Sequence, residues 1–202
     1  MPNWCENALM IYGKKELIEK LIDETKDKDG EPLSFEKILP MPENKEEAAK
    51  ILVDMIDKKQ MAKPFLFLYL ETSEVDSPKE LDKDSAIEIL SQQEDLWYAW
   101  NNIMWNTKWD SYEVCIQHLG QENSGETECI ITFETAWSPP IGIVEELAKR
   151  YPELTFRLEY AEPGVFFAGY IVWEKGRIID TLEGNYDEVG LECINTPMHL
   201  GD

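Results

Sequence analysis

Period-two patterning marks both ends of this chain, and the stretch between them is mostly helical in pattern. Strands separated in this way gain by pairing into one sheet, because a single edge-exposed ribbon is marginal in water. The first strand is expected over about Trp4–Tyr12, with Leu9 and Ile11 on one side and Ala8, Met10 and Tyr12 on the other. Tyr112–Leu119 and Thr127–Trp137 alternate likewise around the turn-rich segment 120–126, which predicts a hairpin. There Val114 and Ile116 share a core face with Cys129, Ile131 and Phe133. Leu154–Tyr160 and Phe166–Glu174 follow as strands. In the last of these both alternating sets are apolar, so it needs cover on both faces. The expectation is that helices cover one face and the insertion, or a partner chain, the other.

Four segments read as helices. Leu17, Ile18, Leu21 and Ile22 recur at intervals of three and four, predicting a helix over Lys14–Thr25. Asn44 and Glu47 form a capping-box pattern that opens a helix to about Lys59, and Asp84–Trp105 reads as one longer helix. Ser138-Pro139-Pro140 reads as a serine cap followed by first-turn proline, with the helix running to about Arg150. Phe35–Pro42 is expected as an extended connector, since residues before proline are pushed out of the helical region. Pro64–Thr72 is a short apolar stretch of either type, and Ser77 with Glu80 suggests another helix start.

Setting aside residues 43–106 leaves the order βαββαβ. The chain is therefore expected to be α+β: a ferredoxin-like split βαβ, an antiparallel sheet with helices on one face. To this are added a mainly helical insertion at about 43–106 and appended C-terminal strands, within a single domain spanning 1–202.

Charge narrows the function classes. The 202 residues carry 19 Lys and Arg against 41 Asp and Glu, a formal charge of −22. Non-specific nucleic-acid binding depends on basic residues displacing counterions. From Ser111 onward the only ones are Lys149, Arg150, Arg157, Lys175 and Arg177. Direct nucleic-acid binding is not expected, even though sheets of this type can stack bases on exposed aromatics. Such a field either keeps the chain soluble or attracts a basic partner protein. Cys5, Cys115, Cys129 and Cys193 form no CxxC pair, and Met1–Glu6 has neither a basic start nor an apolar run, so a reducing cytoplasm is expected. No apolar run is long enough for a membrane span.

Three segments resemble a known family. Met1-Pro2-Asn3-Trp4-Cys5-Glu6-Asn7, Trp105-Asn106-Thr107-Lys108-Trp109-Asp110 and Thr135-Ala136-Trp137-Ser138-Pro139-Pro140 look like the signature segments of the YubB-like proteins. Those are proteins of phages, plasmids and their bacterial hosts, described as having a ferredoxin-like domain. Tyr160–Gly164 and Phe167-Ala168-Gly169 fit the same pattern. The resemblance implies the fold and brings no biochemical activity with it. Where that family has glycine this chain has Asn106, a residue that tolerates positive φ better than most.

The three segments are expected to converge. In a split βαβ sheet the first and third strands are antiparallel neighbours, so Asn3–Cys5 should touch Thr135–Trp137. The candidate ligand-binding set is Asn3, Trp4, Asn7, Lys108, Trp109, Asp110, Trp137 and Ser138. Two readings are open. Tryptophans ringed by polar groups can form a pocket, or they can fill volume while the polar groups satisfy turn backbone. Other chemistry finds little footing. Cys115 and His118 face opposite sides of a strand, no calcium loop is present, and no GxSxG elbow or glycine-rich phosphate loop occurs. No metal or cofactor is expected, and no catalytic residue is identified. The leading expectation is a non-enzymatic interaction module of mobile-element type for a basic protein, a DNA mimic being one version. The alternative is an enzyme or small-ligand binder at the Trp4/Trp109/Trp137 cluster.

Overall fold

The computed structural model describes residues 3–58, 82–120, 126–164 and 166–185, with Val189, Leu191 and Ile194. The sheet begins with β1 (Trp4–Lys14) and is completed by β2 (Tyr112–Gly120), β3 (Glu126–Ala136), β4 (Thr155–Glu162), β5 (Phe167–Glu174) and β6 (Arg177–Asn185). The strands lie in the order β2-β3-β1-β4-β5-β6. Every pairing is antiparallel. The first four strands with α1 (Lys15–Glu24) and α6 (Ile141–Arg150) form the split βαβ. The fold is ferredoxin-like, and β5 and β6 are appended at one edge.

Register explains which residues are buried. Leu9 sits between Ile131 and Leu158, and Ile11 between Cys129 and Phe156. With Asn7, Phe133, Tyr160 and Trp173 they make one inner face. The helices α1 and α6 lie over it, α1 against β1 and β3 and α6 against β4, β5 and β6. Ile18 and Leu21 of α1, and Ile143, Val144, Leu147 and Ala148 of α6, are buried there. Ile116 pairs with Ile131 as the alternation requires. Part of the opposite face is covered by the chain's own C-terminal residues. Val189 and Leu191 pack on Ala161 and Ala168, with Tyr170 and Ile194 beside them.

The polypeptide divides into two compact units, Met1–Leu39 with Trp105–Asp202, and Pro40–Met104. In the second, α3 (Lys45–Lys58) packs against α4 (Lys83–Ser91) and α5 (Leu96–Trp100). Asn44 caps α3 as its spacing predicts, its Oδ1 accepting from the backbone N–H of Glu46 and Glu47. Asp82 caps α4 in the same way. The single helix expected over Asp84–Trp105 is instead broken after Ser91, then resumes as α5 and one π-helical turn, Asn101–Trp105. The polar run Gln92–Asp95 offers no apolar residue to hold the helix down there. The expected connector at Phe35 is one helical turn, α2 (Phe35–Ile38), because Phe35 and Ile38 both bury against the core. Pro64–Thr72, Ser77 and Glu80 lie outside the described residues. Among the described residues no helix is long and apolar enough to cross a membrane.

Candidate functional site

The site is built from two turns laid beside the start of β1. Trp4 pairs with Ala136 in the ladder, and Trp137 N–H donates to Asn3 O at 2.9 Å, so the first and third strands do bring Asn3–Cys5 against Thr135–Trp137. The other turn, 106–110, runs into β2, and side-chain hydrogen bonds tie the two together. Asn106 Nδ2 donates to Pro139 O at 2.9 Å and Thr107 Oγ1 to Ala136 O at 2.9 Å. Ser138 Oγ donates to Asn106 O at 2.5 Å. The Ser138 hydroxyl therefore locks the turns and does not cap α6, whose cap position is held by Pro140 without a side-chain bond. Asn106 has φ 71°, and its amide supplies a bond that glycine lacks.

Three of the eight candidate residues spend their polar atoms on this frame. Asn7 is buried; its amide donates to Cys5 O at 2.8 Å and to Thr135 Oγ1 at 2.9 Å, and Thr135 donates onward to Ser138 O at 2.8 Å. Asp110 accepts from Phe35 N–H at 2.6 Å, Ser111 N–H at 2.8 Å and Ser34 Oγ at 3.0 Å. Its carboxylate thus anchors the start of α2, a place where Ser34 makes no cap bond of its own. Ser138 is the third.

The aromatic members do something else. Trp4 stacks on Tyr112 at 5.2 Å and approaches Trp109 at 6.1 Å. Trp4 lies across from Ala136 and Tyr112 from Glu134, so the rings of β1 and β2 meet above the small Ala136 of the strand between them. Lys108 Nζ sits 4.8 Å from the Trp109 ring centre and 5.1 Å from that of Trp137, a cation between two indoles. Trp109, Trp137 and Tyr112 remain 38%, 42% and 52% exposed. Trp137 also has φ 70°, which costs a bulky residue about 1–2 kcal/mol. The hydrogen-bonded turns hold it there, with the indole partly exposed.

Carboxylates crowd the same sheet face. Glu6 and Glu134 are cross-strand neighbours, and Glu134 is also opposite Tyr112. Burial, and after it the Glu134 charge, holds the Glu6 carboxyl above its ordinary range; burial and then Glu113 do the same to Glu134. Adjoining them is a cleft of about 420 Å³ lined by Asp27, Glu31, Ser34, Asp110, Tyr112 and Glu113 among others. Tyr112, Glu6, Glu113 and Glu134 were not in the sequence-derived set. The inferred contact of Asn3–Cys5 with Thr135–Trp137 already fixes an antiparallel register that sets Glu6 against Glu134, and that signal was available.

Cys5 and Cys129 do not support nucleophilic chemistry. Burial pushes the Cys5 thiol far above its usual range and that of Cys129 to about 11, so neither supplies a thiolate at neutral pH. Among the described residues no group of three His, Cys, Asp or Glu gathers as a metal site.

Residues 104–193 match the family model described as the ferredoxin-like domain in Api92-like protein. The crystal structure of the protein api92 from Yersinia pseudotuberculosis is similar to this chain at 10% identity and a TM-score of 0.48, covering 95% of this chain and 100% of that one. No curated protein matches the sequence.

Proposed function

We propose that this ferredoxin-like protein is a non-enzymatic interaction module that binds a basic partner protein through the face formed by Trp4, Trp109, Tyr112 and Trp137. The observation that carries this reading is the pairing of exposed aromatic rings with mutually repelling carboxylates. Glu6 and Glu134 stand beside each other; burial first, and then the Glu134 charge on Glu6 and the Glu113 charge on Glu134, raises their pKa values. A lysine or arginine from a partner relieves that repulsion and stacks on the neighbouring rings. The chain's own Lys108, held between Trp109 and Trp137, is consistent with cation–ring contacts at this surface. The −22 charge steers a basic partner toward the protein as a whole.

The YubB-like segments extend the proposal to an accessory protein of phage or plasmid type working in the cytoplasm. Mimicry of DNA toward a DNA-binding enzyme is one version of it, since a dense carboxylate surface presents the charge that such an enzyme reads. The alternative, a small-ligand binder or enzyme at the tryptophan cluster, draws on the adjoining cleft of about 420 Å³.

The test is capture on immobilised protein at about 50 mM and about 150 mM salt, followed by calorimetric titration of the purified partner. The expected partner is basic and is lost from Trp109→Ala and Tyr112→Ala proteins that melt normally. Recovery of no basic partner at low salt, or equal binding by both variants, refutes the proposal. A thermal shift with a small molecule that disappears in Trp109→Ala would favour the alternative.

A further inference from the structure

A lysine stands on the aromatic face of a chain whose formal charge is −22. Lys108 is the only lysine or arginine in the sequence between Lys83 and Lys149. Its Nζ lies over two rings at once, 4.8 Å from the Trp109 centre and 5.1 Å from that of Trp137. Two indoles at such distances from one nitrogen flank a gap that fits a single cationic group. The bonds that fix this gap come from other residues. Asn106 and Thr107 tie the first turn to Pro139 O and Ala136 O, Asp110 ties it to Phe35, and the Trp137 N–H donates to Asn3 O. Removing the Lys108 side chain therefore leaves these frame bonds in place.

A lysine is a replaceable occupant of such a gap. Its ammonium is a compact, strongly hydrated charge on a flexible stem, and it gains little from rings that stay 38% and 42% exposed. A guanidinium suits the place better. It is flat and weakly hydrated, stacks on indole, and keeps a fork of donors for carboxylates. Those are at hand along the same strand. Glu134, two residues before Ala136 and on the same sheet face, lies opposite both Glu6 and Tyr112.

We infer that the gap between Trp109 and Trp137 is the seat of an arginine side chain from the partner protein, and that Lys108 fills this seat in the free protein and is displaced on binding. The inference rests on the basic-partner reading above and adds a regulation to it. Lys108 lowers the affinity in proportion to the fraction of molecules whose seat it fills, so a partner enters by supplying a better cation than the chain's own lysine.

The test uses the whole chain and a small probe, Nα-acetyl-arginine amide, with the corresponding citrulline amide as its uncharged counterpart. Titrations at about 150 mM salt are followed by NMR at the indole N–H signals of Trp109 and Trp137. Lys108→Met, which removes the charge and keeps an apolar stem, should bind the arginine probe about threefold or more tighter than the parent. Lys108→Gln should show the same gain. Lys149→Met makes the same change of net charge on α6, where Lys149 pairs with Glu145, and should bind as the parent does. Adding Trp137→Ala to Lys108→Met should abolish the gain. Unchanged affinity in the Lys108 variants, an equal gain in Lys149→Met, a gain that survives Trp137→Ala, or equal binding of the citrulline probe overturns the inference. If the gain appears while capture recovers no basic protein, the cation seat stands and the partner reading falls. If a basic partner is captured and the Lys108 variants show no gain, the displacement falls and the partner reading stands.

Discussion

Replacing Asp110 by alanine separates a structural carboxylate from a ligand-binding one. Its carboxylate accepts from Phe35 N–H, Ser111 N–H and Ser34 Oγ. Phe35 is fully buried and Ser34 6% exposed, so water reaches the freed Phe35 N–H poorly. An orphaned buried donor costs about 1–3 kcal/mol. The Ser34 hydroxyl can rotate toward the adjoining cleft and the Ser111 N–H sits nearer solvent, so each loses about 0.5 kcal/mol. The sum is about 3 kcal/mol, and for a chain of this size about 2–4 °C accompanies each kcal/mol, a fall of roughly 6–12 °C in Tm. Asp110→Asn keeps Oδ1 as acceptor for both backbone donors and loses the charge, so it should cost only about 1 kcal/mol, or roughly 2–4 °C. Thermal unfolding followed by circular dichroism reads both. An alanine variant that melts within about 2 °C of the parent would refute the anchoring role, and an asparagine variant as damaged as alanine would refute the assignment to Oδ1.

Further outcomes follow from the same geometry. Trp109→Ala removes a ring that is 38% exposed; it should abolish binding of the basic partner while lowering Tm by no more than about 4 °C, measured by calorimetry. Glu6 and Glu134 have carboxyl pKa values raised by folding. The native state therefore holds their protons more tightly, and this contribution is fully present below the ordinary glutamate pKa and lost as pH rises through the folded values. Glu134→Gln should accordingly stabilise the protein at pH 7 by up to about 1 kcal/mol and lose that advantage below about pH 4, checked by denaturant titration at both pH values. Cys115 is exposed, while Cys5 and Cys129 are buried with raised pKa values. Of these three, only Cys115 should be alkylated in the native protein at pH 8, as read by peptide mapping.

Sequence patterning determined β1–β5 and the order of the split βαβ, because period two is the direct projection of sheet faces onto the chain, while β6 had no bounds of its own there. Leu9, Ile11, Cys129, Ile131, Phe156 and Leu158 could be assigned to one face before any coordinates, and the meeting of Trp4 with the Thr135–Trp137 turn followed from topology. Local chemistry also read true at Asn44, where a cap needs only its own neighbours. Tertiary structure alone decided what each polar residue does. Asp110 and Ser138 serve backbone groups 75 and 32 positions away, partners that no local spacing reveals. The helix broken at Gln92, the turn at Phe35 and the C-terminal cover over Ala161 and Ala168 were likewise settled by which surfaces could be buried. Helical spacing and proline rules describe a segment in isolation, whereas burial depends on what packs against it.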